Sequence, residues 1–547
     1  MNPDIRIISY SIEELNKTKK RDCFDKVCFF IDNKRYCNGM ILALDGLRRT
    51  GKTFLLNQIN EKYKDITEHL EFPLTTKDGK HVYFTMQDVY DAIDECVKNG
   101  RKIILLDEIT NVDDFTYDSE ILADFYGKSG VCIIVAGTDS LAIKLAGNNP
   151  LLGIKIDIPM TYIPFAEYSR VFDTNDIDDY IKYGGLMHEG SSEDELSIDD
   201  DMVKDIASKK RYLDSAVSGN IIRSLKRYEK YNSGTSGYEE IQKYTENDIK
   251  RIINKIIGDW SGKLDSTGTN NKSVYNILDC PLKKYRNSLD DTAGIQVNNN
   301  RIKNNEEYAK QINIECVLSI PTTTRLVTEL ETALSVLGVV SSLDVCKYEK
   351  INGVWSKSKD YKEYHIVQPA IKYYQLKDAE KIFLETADLS GLNYSERQIL
   401  SQELENKIFE DMAEAIVRFD IQNCLDQDRY YVFKPEFIVN GNNVGEYDLT
   451  VYDKTRHYYF GFEVKHTENP YSGQYKNLEN EELRNVMDYQ YGGRKNVSVL
   501  YRGSSFKTSE EIYYINISDF LKAVDEYKDM DKAMDILTKD LPVRDLV

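Results

Sequence analysis

Residues 40–138 alternate short, continuous apolar runs with stretches of helical period. The clearest runs are Met40-Ile41-Leu42-Ala43-Leu44, Ile103-Ile104-Leu105-Leu106 and Val131-Cys132-Ile133-Ile134-Val135-Ala136. Strands that are apolar on both faces belong to parallel sheets with helices on either side, so this region predicts an α/β domain. Beyond about residue 160 the pattern turns mainly helical. It is interrupted by Glu189-Gly190-Ser191-Ser192-Glu193-Asp194-Glu195, whose like charges and missing apolar anchors predict a solvated loop. Asn298-Asn299-Asn300 reads as a second exposed connection.

Residues 306–376 predict a small winged-helix unit. A helical run through Arg325-Leu326-Val327-Thr328-Glu329-Leu330 and Leu334 ends at Gly338, a C-cap residue, and a two-strand wing turns at Asn352-Gly353. Its candidate recognition helix sets Glu329 and Glu331 against Arg325, which favours packing on neighbouring domains over contact with phosphate. From 401 to 547 the order is helix, three strands, helix, strand, then a terminal strand and helix. A chain of 547 residues is too long for one core. We therefore expect units at 1–160, 161–305, 306–376 and 401–547.

Composition narrows the function classes. A net charge of −20 repels polyanions at long range, so any nucleic-acid contact must be local. No window approaches the ~20 apolar residues of a membrane span, and Met1–Arg6 lacks the basic-then-apolar pattern of an export signal. The nine cysteines are scattered and never form a C-x-x-C pair, which favours free thiols in a reducing compartment. The expected location is the cytoplasm, with no membrane partner.

Gly46-Leu47-Arg48-Arg49-Thr50-Gly51-Lys52-Thr53 fits G-x-x-x-x-G-K-[ST], with a strand before it and the helical run Phe54–Ile59 after it. Backbone amides of such a loop cradle phosphates at a helix N-terminus. Lys52 then reaches the β- and γ-phosphates of ATP, and the Thr53 hydroxyl ligates Mg²⁺. The strand at 103–106 runs into Asp107 and Glu108, suited to holding Mg²⁺ and to polarising the attacking water. Thr138 or Ser140, after the third apolar run, lies where a γ-phosphate sensor is placed; Thr138 or Asp139 serves equally well as a helix N-cap. Arg170 and Arg223 are the arginine-finger candidates, each also readable as a surface or ion-pair residue.

Leu44 to Thr53, Leu105-Leu106-Asp107-Glu108 and Ala136-Gly137-Thr138-Asp139-Ser140 together resemble the prokaryotic AAA-type P-loop ATPases that carry a C-terminal nuclease-like domain of unknown function. Pro164-Phe165-Ala166-Glu167-Tyr168 is similar to that family's proline–hydrophobic–Glu–Tyr segment, and Tyr183-Gly184-Gly185-Leu186-Met187 to its Gly-Gly-Phe-Pro-like segment. This chain has Thr138-Asp139 where the family has a Ser-rich sensor and Met187 where it has proline. The resemblance implies a P-loop NTPase parallel sheet, a helical lid, a winged-helix-like unit and a restriction-endonuclease-like α/β domain.

In the C-terminal unit, Glu446, Asp448 and Thr450 share one face of a strand, and Glu463 and Lys465 share one face of the next. A hairpin turning near Lys454 brings Asp448, Glu463 and Lys465 together. That is the arrangement of a PD-(D/E)-x-K nuclease, in which two carboxylates hold Mg²⁺ or Mn²⁺ and the lysine activates water. Upstream, Glu410 and Glu414 lie on one helix face, and Glu410 matches the family's first-helix glutamate. The E-x-K spacing alone says little, since Asp32-Asn33-Lys34 has an equivalent spacing. The expected function is an ATPase coupled to cleavage or binding of DNA or RNA. The alternative is a nucleotide-dependent interaction or signalling switch with an inactive nuclease-like platform, engaging a protein partner or further copies of itself.

Overall fold

The computed structural model describes residues 2, 4–8, 19–73, 75–77, 80–82, 84–113, 115, 119–139, 143, 153–187, 219, 221–222, 239–245, 247–249, 252, 324–358, 360–373 and 394–546. The loops expected around 189–195 and 298–300, together with Ser140 and Arg223, lie outside them.

The first sheet contains β1 (Arg6–Ile7), β2 (Ile41–Asp45), β3 (Thr67–Glu71), β4 (Ile103–Asp107), β5 (Cys132–Gly137) and β6 (Lys155–Pro159). Their spatial order is β1-β3-β4-β5-β2-β6, parallel except for β1. Alternation along each strand sorts the core into two layers. Ile41, Ala43, Ile104, Leu106, Ile133 and Val135 meet Val89, Ala92 and Ile93 of α3 (Met86–Lys98). Leu42, Leu44, Leu105, Ile134 and Ala136 meet α1 (Cys23–Asp32) and α2 (Lys52–Lys62) on the other face. These continuous apolar strands are the ones the sequence made visible.

After the first sheet come α4 (Phe165–Phe172), α5 (Ile177–Tyr183) and α6 (Thr324–Val336). Gly338 beyond α6 is left-handed, with φ 70°, and the Val339 N–H returns to the Leu334 carbonyl. β7 (Val340–Ile351) and β8 (Val354–Lys357) pair antiparallel across Asn352-Gly353, whose φ angles of 53° and 82° are those of a type I′ turn. Arg325 pairs with Glu239 and Glu329, and buried Glu329 accepts the N–H groups of Glu240 and Ile241. The α6 face is thus committed to packing within the chain.

The hairpin strand β7 also pairs with β9 (Tyr361–Ile366) and runs parallel to β10 (Tyr430–Val439). One ten-stranded sheet therefore spans the two units expected at 306–376 and 401–547. Its other members are β11 (Asn442–Glu446), β12 (Leu449–Asp453), β13 (Tyr458–Lys465), β14 (Gly493–Tyr501), β15 (Phe506–Lys507) and β16 (Tyr513–Asn516). Helix α7 (Tyr394–Cys424) precedes β10, α8 (Glu481–Tyr491) connects the parallel pair β13 and β14, and α9 (Ile517–Tyr527) and α10 (Met530–Thr538) end the fold. The single strand expected through Glu446–Val451 is broken. β11 and β12 both pair with β10, and Asp448 stands in the gap between them.

The α4–α5 region is not separate from this second sheet. Ile163, Phe165, Tyr168, Ile177, Tyr180 and Ile181 share a core with Phe409, Met412, Ile416 and Phe520 of the C-terminal half. Among the described residues no helix is long and apolar enough to cross a membrane.

Candidate functional site

β2, between β5 and the edge strand β6, delivers Gly46 to Gly51, and α2 starts directly behind them at Lys52. Two glycines are needed here. Gly46 has φ 155°, and a Cβ on it would be driven into the Met160 carbonyl oxygen. Gly51 is left-handed at φ 84° and caps α2 without a side-chain hydrogen bond, leaving the first helical amides for an anion. Arg49 is left-handed too, at φ 64°. Leu47 turns inward, fully buried among Leu326, Leu330 and Leu334 of α6.

Lys52 is buried and donates to two carbonyls of its own loop, Gly46 O at 2.8 Å and Leu47 O at 2.6 Å. Burial lowers its pKa to about 8, against the opposing charges of Glu108, Asp107 and Asp45. At the end of β4, burial works against the Asp107 carboxylate, yet neighbouring His69 and Thr53 and the charge of Lys52 hold its carboxyl below the usual range. Thr53 and Asp107, expected as neighbours on one magnesium, are near enough for Thr53 to favour the ionised Asp107 carboxyl. His69 itself is anchored by Asn57 at 2.8 Å and lies 3.6 Å from Asp107.

Glu108 occupies the left-handed region at φ 52°, a strained conformation that concentrates at functional sites. Its N–H donates to Asp107 Oδ1 at 2.9 Å. Burial, then the charge of Asp107, pushes its carboxyl up, as suits a base. Thr138 Oγ1 donates to Glu108 Oε2 at 3.2 Å, so the sensor candidate touches the base candidate directly. Arg170 pairs with Asp22 at 2.5 Å, the ion-pair reading of that residue.

Sequence reasoning missed the support beneath the loop. Arg21, buried, donates to the Thr50 carbonyl and pairs with Glu167 at 2.5 Å. Glu167 also accepts the Asp22 N–H at 2.8 Å. The glutamate of the Pro-Phe-Ala-Glu-Tyr segment therefore braces the P-loop through one arginine. His69 was equally invisible, lying in a strand with only one aliphatic residue.

The second cluster forms at the top of β12 and β13. Register Leu449↔Phe462 sets Asp448 opposite Glu463. Lys465 Nζ lies 2.9 Å from Asp448 Oδ2 and 2.8 Å from Glu463 Oε2, and the Val464 N–H donates to Asp448 at 2.8 Å. Burial opposes ionisation of Asp448, but Lys465 and Lys434 hold its carboxyl down at about 2. Burial and the Asp448 charge drive Glu463 the other way. Burial opposes the Lys465 ammonium, but Asp448 and Glu463 raise its pKa strongly.

The α7 glutamate that bears on this group is Glu414, pushed up to about 8 by burial and then by Asp448. Glu410 lies one turn earlier and is half-buried. Around them is a charge network that no local pattern reveals: Arg418 with Glu414 at 2.8 Å and Glu363 at 3.4 Å, and Lys434 with Glu446 at 3.0 Å. Among the described residues no group of three or more His, Cys, Asp or Glu side chains is arrayed for a metal ion.

Against known proteins, the family profile described as AAA domain matches residues 38–169. Of solved structures, PCH-2 of C. elegans aligns over 46% of this chain and 73% of its own at 12% identity and TM-score 0.22, too loose a likeness to carry an argument. A comparison with curated proteins returns no match. Residues 38–169 are therefore similar to an AAA domain, a module whose family suggests nucleotide binding and ATP hydrolysis.

Proposed function

We propose that the chain is a cytoplasmic ATP-driven switch in which the AAA module controls a PD-(D/E)-x-K nuclease-like domain acting on DNA or RNA. The observation that carries this is the meeting of Asp448, Glu463 and Lys465 within 2.9 Å, on the same chain as a complete P-loop. On the ATP side, loop amides 46–53 and Lys52 hold the phosphates, Thr53 and Asp107 hold magnesium, and Glu108 orients water beside Thr138. The Lys52 ammonium resting on Gly46 O and Leu47 O fits this role, because both are weak partners that an anion displaces.

On the C-terminal side, Asp448 and Glu463, with Glu410 or Glu414 from α7, would hold Mg²⁺ or Mn²⁺ once Lys465, which pairs with both carboxylates, gives way. A divalent ion there supplies Lewis acidity toward a phosphodiester and a more acidic water. Lys465 fits as the group that now balances the two carboxylates.

A second reading is a nucleotide-dependent platform without cleavage. Asp448 is only 3% and Glu463 only 4% exposed, with Lys465 already neutralising them, as in a structural ion cluster. Plasmid incubated with Mg²⁺ or Mn²⁺, with and without ATP, separates the two. The nuclease reading expects nicking or linearisation that Asp448→Ala and Lys465→Ala abolish. An intact plasmid, or cleavage indifferent to both substitutions, leaves the platform.

A further inference from the structure

We propose that residues 177–187, comprising α5 and the Tyr183-Gly184-Gly185-Leu186-Met187 segment, form a latch by which nucleotide at the P-loop governs the Asp448–Glu463–Lys465 cluster, with Asp178 and His466 as its positioning pair. The inference rests on the reading of that cluster as the controlled site, and it names the regulation.

One end of the latch lies on the phosphate loop. The Met187 N–H donates to the Arg49 carbonyl at 2.6 Å. The Met187 Cγ is 2.8 Å from where a Cβ of Gly51 would sit. This is the part of the chain that nucleotide must disturb. For its ammonium to meet a phosphate, Lys52 has to leave Gly46 O and Leu47 O, and the loop between them re-forms around the anion.

The other end holds the residue after Lys465. Asp178, in the first turn of α5, accepts from His466 Nε2 at 2.7 Å and pairs with Arg502 at 3.0 Å. His466 stacks on Phe409 of α7, with centroids 4.9 Å apart and planes at 25°. Lys182 of α5 lies over the other partner of that stack, 5.4 Å from the Phe409 centroid. α5 thus grips both the end of β13, which carries Glu463 and Lys465, and the helix that carries Glu414.

Between the two ends the path is short and stiff. Seven residues of helix span about 10 Å. Tyr180 is fully buried and its hydroxyl donates to Ile163 O at 2.6 Å. Gly185, left-handed at φ 86°, is not a loose joint. Its carbonyl accepts from Ile163 N at 3.2 Å, and a Cβ on it would lie 2.9 Å from Pro369 Cδ. A shift of Met187 is therefore passed along α5 rather than absorbed at the glycines. Packed elements move between discrete arrangements, so the shift changes the hold on His466 and, through it, on Lys465.

Hydrogen exchange on the full chain tests this without cleavage or a second metal. With Mg²⁺ and ATP in the Glu108→Gln background, residues 46–56 become protected, and 177–187 and 462–467 change their exchange rates by about threefold or more. In Asp178→Ala the response at 46–56 and 183–187 remains while that at 462–467 is lost, and Asp178→Glu restores it. His466→Phe, which keeps the stack on Phe409 and drops the bond to Asp178, reproduces the loss if Asp178→Ala fails to fold. A P-loop response with 462–467 silent in the parent protein, or undiminished in both variants, overturns the latch. A silent P-loop removes nucleotide binding and the latch together. An intact exchange response in a protein that leaves plasmid uncut removes the nuclease and keeps the latch.

Discussion

Two lysines at the two candidate sites, Lys52 and Lys465, each face carboxylates but stand in opposite electrostatic states. Lys52 donates to backbone carbonyls, and burial drops its pKa to about 8 although Glu108, Asp107 and Asp45 favour the charge. Lys465 is locked between Asp448 and Glu463, and its pKa is driven strongly upward. The first rests on backbone carbonyls, and the carboxylates around it only partly offset the cost of burying its charge. The second is closed on itself, its charges already paired. A pairing of this kind is weak evidence of stability but strong evidence of interdependence, because removing one member leaves the others buried and uncompensated.

The largest expected effects are at the first lysine. Lys52→Ala removes the charge that the loop reserves for phosphate, so nucleotide binding falls below detection in a calorimetric titration. Glu108→Gln keeps the binding and slows phosphate release about 10²–10⁴-fold, the range for a lost general base. Equal turnover by the three proteins would contradict both roles and erase the contrast, since the Lys52 charge would then matter to nucleotide no more than that of Lys465.

At the second lysine the loss should appear in stability. Lys465→Ala strands Asp448 and Glu463 side by side and is expected to destabilise the second sheet by about 3–5 kcal/mol, read as a lower urea midpoint. Lys465→Met combined with Asp448→Asn, which removes opposite charges together, should recover much of it. If the double variant is as unstable as the single, the cluster is held by packing rather than by charge balance.

How much of this was legible in the sequence depends on what the side chains had to do. β2, β4 and β5 were visible because both faces of each are apolar, and the P-loop because glycines at 46 and 51 have no substitutes there. The Asn352-Gly353 turn announced its hairpin. Convergence of Asp448, Glu463 and Lys465 followed from strand period plus one turn. β3, reading Thr67-Glu68-His69-Leu70-Glu71, was hidden because Thr67 and His69 are buried polar residues that no period reveals. The joining of β7 to β10 depends on contacts between residues about ninety apart, as in Phe433↔Asp344, and local pattern carries no such information. Likewise Arg21, Glu167 and Arg418 look like surface charges until their partners are known.

A buried carboxyl elsewhere sharpens the comparison, because its shortest hydrogen bond comes from the backbone rather than from a cation. Asp420 of α7 accepts the Phe165 N–H at 2.8 Å, capping α4 from the other half of the molecule, and burial, aided by Asp525, pushes its carboxyl up to about 7. A carboxyl raised above its ordinary 3.8 favours folding in its protonated form. That contribution is complete below about pH 4 and is lost as pH rises through 7. Asp420→Asn keeps an acceptor for Phe165 and never ionises. It should therefore stabilise the chain by about 2–4 kcal/mol at pH 8 and by nearly nothing at pH 4, measured by thermal unfolding. A gain of the same size at both pH values would mean the charge is not what matters there.

The smallest expected effect is the most direct comparison of the two lysines. Because the Lys52 pKa lies near 8 instead of 10.5, its ammonium is lost as pH rises through 8. Nucleotide binds the charged form, so affinity should be level up to about pH 7.5 and then fall, approaching tenfold for each further unit. Lys465 stays charged over the same interval, so unfolding of the second sheet should show no matching change. Calorimetric titration of ADP with Mg²⁺ from pH 7 to 9.5, beside unfolding midpoints across that range, reads both lysines. An affinity that stays flat to pH 9.5 would show that Glu108, Asp107 and Asp45 together keep Lys52 protonated, making its environment the equal of the one around Lys465.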